Sequence, residues 1–120
     1  MTDKSYEELV AEAKTRIREV TPREAIALRE REGAVFLDVR EPQEWNLFRI
    51  PNAVHVPLGA VDERITQRIP RDRTVIVYCA RGNRSALAAD AMQNMGYADV
   101  ASLASGITGW AQAGGEIDQD

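Results

Sequence analysis

The chain has 120 residues, 44% hydrophobic and 28% charged, with a formal net charge of -4 at pH 7. That length allows one domain with one core, and the acidic balance argues against nucleic acid as a partner, because no broad basic surface is available to neutralise phosphates. A single cysteine rules out an internal disulfide, a single histidine leaves no cluster with metal-ligand spacing, and no stretch is long and apolar enough to cross a bilayer.

The opening Met1-Thr2-Asp3-Lys4 lacks the apolar core of a signal peptide, so a cytoplasmic location, which suits a free thiol, is expected. Residues 5–19 read as an amphipathic helix. Ser5 with Glu8 forms a capping-box signature, and Tyr6, Leu9, Val10, Ala13, Ile17 and Val20 recur at helical spacing opposite Glu7, Glu12, Lys14, Arg16 and Arg18. Such a helix can pack on its own domain or serve as a docking surface. Thr21-Pro22-Arg23-Glu24 starts a second helix, with cap, N1 proline and N3 glutamate in register, and Gly33 stops it. Residues 34–39 form a continuous apolar run broken only by Asp38, the pattern of a central parallel strand buried on both faces. A carboxylate there needs a partner, since burying it unpaired costs several kcal/mol.

Residues 41–45 predict a helical turn, Ile50-Pro51-Asn52-Ala53 a turn, and residues 54–57 a short strand with proline at its edge. A helix over 61–68 ends at Ile69-Pro70, a charged loop follows, and residues 74–78 form a second apolar strand. Residues 85–95, rich in Ala, Leu and Met, predict a helix packed tightly on a sheet, ended by Gly96. Residues 98–103 read as a strand, 106–109 as a turn, 110–113 as a short helix, and 116–120 as a fraying tail. Strands alternating with helices make an α/β domain with a mainly parallel sheet, whose ligands bind beyond the carboxyl ends of the strands.

Cys79 lies at such an end. The stretch Cys79-Ala80-Arg81-Gly82-Asn83-Arg84-Ser85 joins a strand to a helix and holds the chain's one cysteine. A thiol at a strand end, a loop able to turn N–H groups inward and a helix N-terminus aimed at the same point make an anion-holding nucleophile site. A free thiol has a pKa near about 8.5, and such surroundings lower it. The alternative for a lone cysteine is an inert core residue.

Five separated pieces resemble the single-domain rhodaneses, a family of sulfurtransferases. They are Asp38-Val39-Arg40-Glu41 with Glu44-Trp45; Ile50-Pro51-Asn52-Ala53; Val75-Ile76-Val77-Tyr78-Cys79; the loop Cys79-x-x-Gly82-x-Arg84-Ser85; and Gly106-Ile107-Thr108-Gly109-Trp110. The resemblance covers about residues 21–115. It implies a three-layer α/β domain over 21–120, with a parallel sheet flanked by helices, preceded by an N-terminal helix in 1–20 that lies outside the resemblance. Two departures stand out: Phe48-Arg49 where the family often has Gly-His, and Asn52 where it often has glycine. The implied reaction needs no cofactor. The Cys79 thiolate takes the outer sulfur of a small anionic donor such as thiosulfate, becomes a persulfide, and passes that sulfur to cyanide or a thiol, with a protein acceptor also open.

The loop residues divide by role. Arg81, mid-loop, is free to hold a dianionic donor. Arg84 enters the first helix turn, where a cation is unfavourable for the dipole, so a carboxylate must offset it; Asp38 and Glu44 are the candidates, and Arg84 is expected to lock the loop. Arg40 follows the strand toward the same end, adding positive potential or a salt bridge at the rim. Gly82 allows a turn that a Cβ would obstruct. Ala80 and Asn83 complete the loop, and Ser85 is expected to cap the helix rather than to bond the persulfide. His55, in a short apolar strand, reads as structural, and Trp45 and Trp110 as core plugs near the loop.

Two other functions compete. Related phosphatases and arsenate reductases, as the resemblance implies, share the fold but place five residues between cysteine and arginine. Here four intervene, a smaller cradle suited to sulfur rather than to a phosphoryl group. A module that relays sulfur between protein partners is the other, with the N-terminal helix as a docking surface.

Overall fold

The computed structural model describes residues 3–119. Among these residues five strands, β1 (Arg18–Val20), β2 (Val35–Asp38), β3 (Val54–His55), β4 (Val75–Tyr78) and β5 (Val100–Leu103), form one sheet in the order β1-β5-β4-β2-β3. Every pairing is parallel. Six α-helices accompany them: α1 (Tyr6–Arg16), α2 (Pro22–Glu32), α3 (Pro42–Leu47), α4 (Val61–Arg68), α5 (Asn83–Asn94) and α6 (Gly106–Gln112).

The three layers follow from alternation along the central strands, whose successive side chains point to opposite faces. Leu37, Val75, Val77 and Cys79 turn to one face, where Val61 and Ile65 of α4 and Ala88, Ala89 and Met92 of α5 cover them. Phe36, Ile76, Tyr78, Ala101 and Leu103 turn to the other, against Ala25 of α2 and Ile107 and Trp110 of α6. Alanines on α5 let that helix lie close to the sheet. The chain leaves β2 for β3 on one side and returns to place β4 on the other, so the strand order reverses between β2 and β4. A crevice opens beyond the carboxyl ends at such a reversal, and Cys79 directly follows β4.

Local signals set most boundaries. Ser5 and Thr21 each accept from the backbone N–H three residues on, and Glu8 and Glu24 bond back to the cap N–H groups. Gly33 ends α2 in the left-handed conformation. Asn52, the departure from the family's glycine, has φ 64; asparagine tolerates that region better than other side chains with a Cβ, so the turn survives the exchange.

Three expectations need correcting. The first helix stops at Arg16 rather than running to residue 19, and Arg18–Val20 is an edge strand paired with β5. Only Val20 of that strand is buried; pairing with the Ala101–Leu103 backbone, rather than its own side chains, holds it in the sheet. Gly106–Gln112 is one helix, so the expected turn over 106–109 is the first turn of α6. The tail is tied down: Trp110 Nε1 donates to the Glu116 carbonyl at 2.8 Å, Ile117 packs on the core, and Asp118 bridges the Arg49 backbone at 2.8 and 3.0 Å. Asp120 lies outside the described residues.

Helix α1 packs chiefly on α5. Val10 and Ala13 are buried there, and the Arg16 guanidinium bonds both carboxylate oxygens of Asp90 at 3.0 and 2.8 Å. At the other end of α5, Lys14 Nζ donates to Asn83 Oδ1 at 3.3 Å, which ties α1 to the residue that follows Gly82.

Candidate active site

Cys79 continues β4 by one residue and is 1% exposed. The chain then turns through residues 80–82 and enters α5 at Asn83. This turn brings backbone donors onto the sulfur: the Gly82 N–H lies 3.1 Å from Sγ and the Ser85 N–H 3.4 Å, with the Ser85 hydroxyl at 3.5 Å. Burial alone would push the thiol pKa up. The Ser85 hydroxyl, followed by the N–H groups of Ser85, Gly82 and Arg81, outweighs it and holds the thiol below its ordinary value. Donors that favour the thiolate of a buried sulfur also favour any anion formed on that sulfur, so this arrangement can support nucleophilic chemistry.

Two close backbone approaches build this turn. Gly82 has φ +100 and is the N-cap of α5, and a Cβ there would overlap the Ala104 carbonyl. Gly106 has φ +63, and a Cβ there would strike the Ala80 carbonyl. Because α6 can therefore come close, the Ile107 N–H donates to the Cys79 carbonyl at 2.9 Å and the Thr108 N–H to the Ala80 carbonyl at 3.2 Å. The first turn of α6 thus clamps the loop from outside while the first turn of α5 faces the sulfur.

Arg84 and Glu44 form a bidentate pair, with Nη1–Oε1 2.7 Å and Nη2–Oε2 3.1 Å. The pair joins α3 to the first turn of α5. The Arg84 guanidinium, helped against partial desolvation by the Glu41 N–H, holds the Glu44 carboxyl at about 2, well under its ordinary 4.5. The carboxylate offsets the misplaced cation at a helix N-terminus.

Asp38 is not the partner of Arg84, and Arg40 is not at the rim. Residue 38 alternates to the sheet face opposite Cys79, so its carboxylate cannot reach the loop. Arg40 instead folds back onto it, with Nε 3.1 Å from both Asp38 oxygens and Nη2 2.8 Å from Oδ2. The same Nη2 also donates to the Phe48 carbonyl at 2.7 Å, and the guanidinium stands near the Phe48 and Tyr78 rings. Phe48, the other departure from the family pattern, thus covers this buried pair. Both groups are buried and mutually satisfied, which offsets the desolvation of each. They brace the β2 end and the 48–50 segment, where Tyr78 Oη accepts the Ile50 N–H at 3.1 Å.

Ser85 departs from its expected role too. With Gly82 as cap, Ser85 falls at N3, is fully buried and makes no cap bond. Its hydroxyl lies between the sulfur and Ser102 Oγ, 2.8 Å away. Ser102 is the one participant that sequence reasoning passed over. Its signal is a hydroxyl within the otherwise apolar strand Val100-Ala101-Ser102-Leu103. Arg81 is exposed at the loop, with no side-chain partner among the described residues. His55 bonds the Arg40 carbonyl through Nε2 at 2.8 Å and stacks on Trp45 at 4.8 Å, a structural placement. Trp110 is buried in the core, whereas Trp45 is only half-buried.

A model of the Rhodanese-like domain family matches residues 21–113. The chain belongs to that family. A rhodanese-like relative, the thiosulfate sulfurtransferase GlpE of Pseudomonas syringae pv. syringae, is 35% identical over 96 residues, which cover 80% of this chain and 89% of the relative. The probable adenylyltransferase/sulfurtransferase MoeZ of Mycobacterium tuberculosis is 36% identical over 77 residues; these are 63% of this chain but only a fifth of that longer protein. Among solved structures, a Rhodopseudomonas palustris protein of unknown function, described as a possible tyrosine phosphatase, superposes with a TM-score of 0.85 at 31% identity. That match covers 98% of this chain and 97% of the other. The N-terminal segment outside the rhodanese-like match therefore has a structural counterpart in that protein.

Proposed function

We propose that the chain is a rhodanese-type sulfurtransferase acting through a persulfide on Cys79. The observation that carries the reading is the sulfur itself, buried at the end of β4 under the N–H groups of Gly82 and Ser85. The thiolate attacks the outer sulfur of thiosulfate or a similar donor; the donor's S–S bond breaks, and sulfite leaves with the electron pair. Cys79 then carries a persulfide anion, stabilised by the same donors. Cyanide or a thiolate attacks the terminal sulfur, forms thiocyanate or a new persulfide, and returns the Cys79 thiolate. Arg81 attracts the dianionic donor, and Arg84, held by Glu44, keeps the loop in shape. The thiosulfate sulfurtransferase name of the Pseudomonas syringae relative supports thiosulfate as donor. A free thiol persists in a reducing compartment, which supports a cytoplasmic setting.

A protein acceptor is a second reading, favoured by the occurrence of a matching segment inside the much longer adenylyltransferase/sulfurtransferase. The phosphatase description of the Rhodopseudomonas palustris protein carries less weight for this chain. The Arg84 guanidinium, which in a phosphoryl cradle would face the substrate, is bonded to Glu44 through both terminal nitrogens. Steady-state kinetics test the proposal. Thiosulfate and cyanide should give thiocyanate with parallel-line, ping-pong patterns, no hydrolysis of p-nitrophenyl phosphate should accompany it, and Arg81→Ala should raise the thiosulfate KM roughly tenfold with a smaller effect on kcat. Phosphate-ester hydrolysis without thiocyanate formation would overturn it.

A further inference from the structure

The buried hydroxyl of Ser102 is not needed to hold the sheet. Parallel pairing sets Ser102 opposite Val77, so its side chain shares the face of Val77 and Cys79. It is fully buried, and its one hydrogen-bond partner among the described residues is Ser85 Oγ at 2.8 Å. Ser85 in turn touches Cys79 Sγ at 3.5 Å. The three atoms form a short chain, Ser102 Oγ, Ser85 Oγ, Cys79 Sγ, with no other side-chain link.

Counting protons along this chain gives it a direction. With a neutral thiol, three protons share two links, so one of them, a serine O–H or the weaker S–H, is left buried without an acceptor. With a thiolate, Ser102 donates to Ser85 and Ser85 donates to the sulfur, and every proton is used. A buried donor left without an acceptor is costly, and a directed chain of hydroxyls polarises toward its charged end. We infer that Ser102 is a positioning residue for Cys79, committing the Ser85 hydroxyl to donate to the sulfur and so favouring the anion, thiolate or persulfide, over the protonated form.

The charges around the sulfur do not supply this effect by another route. From α5, Arg84 acts on the sulfur but is neutralised by Glu44 of α3. Lys14 of α1 is bonded to Asn83, and α4 turns only Val61 and Ile65 toward this core, its charged side chains being exposed. Asp38 and Arg40, at the end of β2, close on each other on the opposite face, and Arg81 is exposed on the loop. The inference rests on Cys79 being the reacting group, and its test needs neither sulfur donor nor acceptor.

The test is the pH dependence of Cys79 alkylation by iodoacetamide, on the full chain. Ser102→Ala should move the apparent thiol pKa up by about half to one unit, and Ser102→Thr, which restores a hydroxyl, should recover most of that shift. Ser102→Val has the shape of the Thr variant without its hydroxyl, so the Val–Thr pair gives the same comparison if the alanine variant does not fold. In a Ser85→Ala background, Ser102→Ala should add nothing. An unchanged alkylation pKa in Ser102→Ala, an equal pKa in the Val and Thr variants, or an undiminished shift in the Ser85→Ala background would each overturn the inference. Lost thiosulfate turnover with these pKa shifts intact would count against the sulfur-transfer reading alone.

Discussion

At the level of single residues, the site depends on backbone more than on side-chain charge. Two glycines bring peptide groups closer than a Cβ permits: the turn at Gly82 puts amides on the sulfur, and the approach at Gly106 lets α6 bond the Cys79 and Ala80 carbonyls. Gly82→Ala should therefore remove both the positive φ and the space against Ala104. The expected result is a loss of roughly 2 kcal/mol or more of stability, read by urea denaturation, together with loss of the lowered Cys79 pKa. Full stability with an unchanged thiol pKa would mean that the loop does not need this geometry. Cysteine, glycine and the loop length are all legible in the sequence. The role of Ser85 is not, because a hydroxyl near a helix start looks the same whether it lies at the cap or at N3. Only the position of Gly82 as cap decides between them. Asp38 and Arg40 show the same limit. The Asp38 carboxylate calls for a partner, but that Arg40 rather than Arg84 supplies it follows from the sheet face that residue 38 shares with Phe36 and Tyr78, a matter of register rather than of composition.

Among the elements, the helices were the most readable, since Ser5, Thr21, Pro22 and Gly33 mark ends through local hydrogen bonds and φ. Strand β1 was not. Three residues with one buried side chain carry too little periodicity to interrupt the helical spacing that Ile17 and Val20 continue, and only pairing with β5 makes Arg18–Val20 a strand. That strand makes the N-terminal segment part of the sheet's edge, and α1 covers α5 just before it. Deleting residues 1–17 while keeping β1 should cost roughly 2 kcal/mol from the lost burial of Val10 and Ala13. Urea midpoints of the two proteins measure it. An unchanged midpoint, with loss of sulfur delivery to a protein acceptor, would instead favour a docking role for α1.

On the scale of the whole molecule, the parallel sheet brings the loops that follow β2 and β4 to the same side of the fold, and the pair Arg84–Glu44 ties α3 to α5 there. Because the folded Glu44 carboxyl titrates at about 2 rather than 4.5, folding stability from this pair is present above about 4.5 and is lost as pH falls toward 2. After solvent screening of a pair that is about 30% exposed, the loss is about 1 kcal/mol. Thermal melts should show a flat midpoint from neutral pH to about 5 and a decline below it. Glu44→Gln should be less stable than the parent at pH 7 and converge on it near pH 2; a constant gap between the two would contradict the coupling.

The central claim is that the Cys79 sulfur, just beyond β4, accepts and carries another sulfur. Intact-protein mass spectrometry after incubation with thiosulfate addresses it directly. The predicted result is a gain of one sulfur atom, absent in Cys79→Ser and removed by cyanide. An unchanged mass in the parent protein, or the same gain in Cys79→Ser, would contradict it.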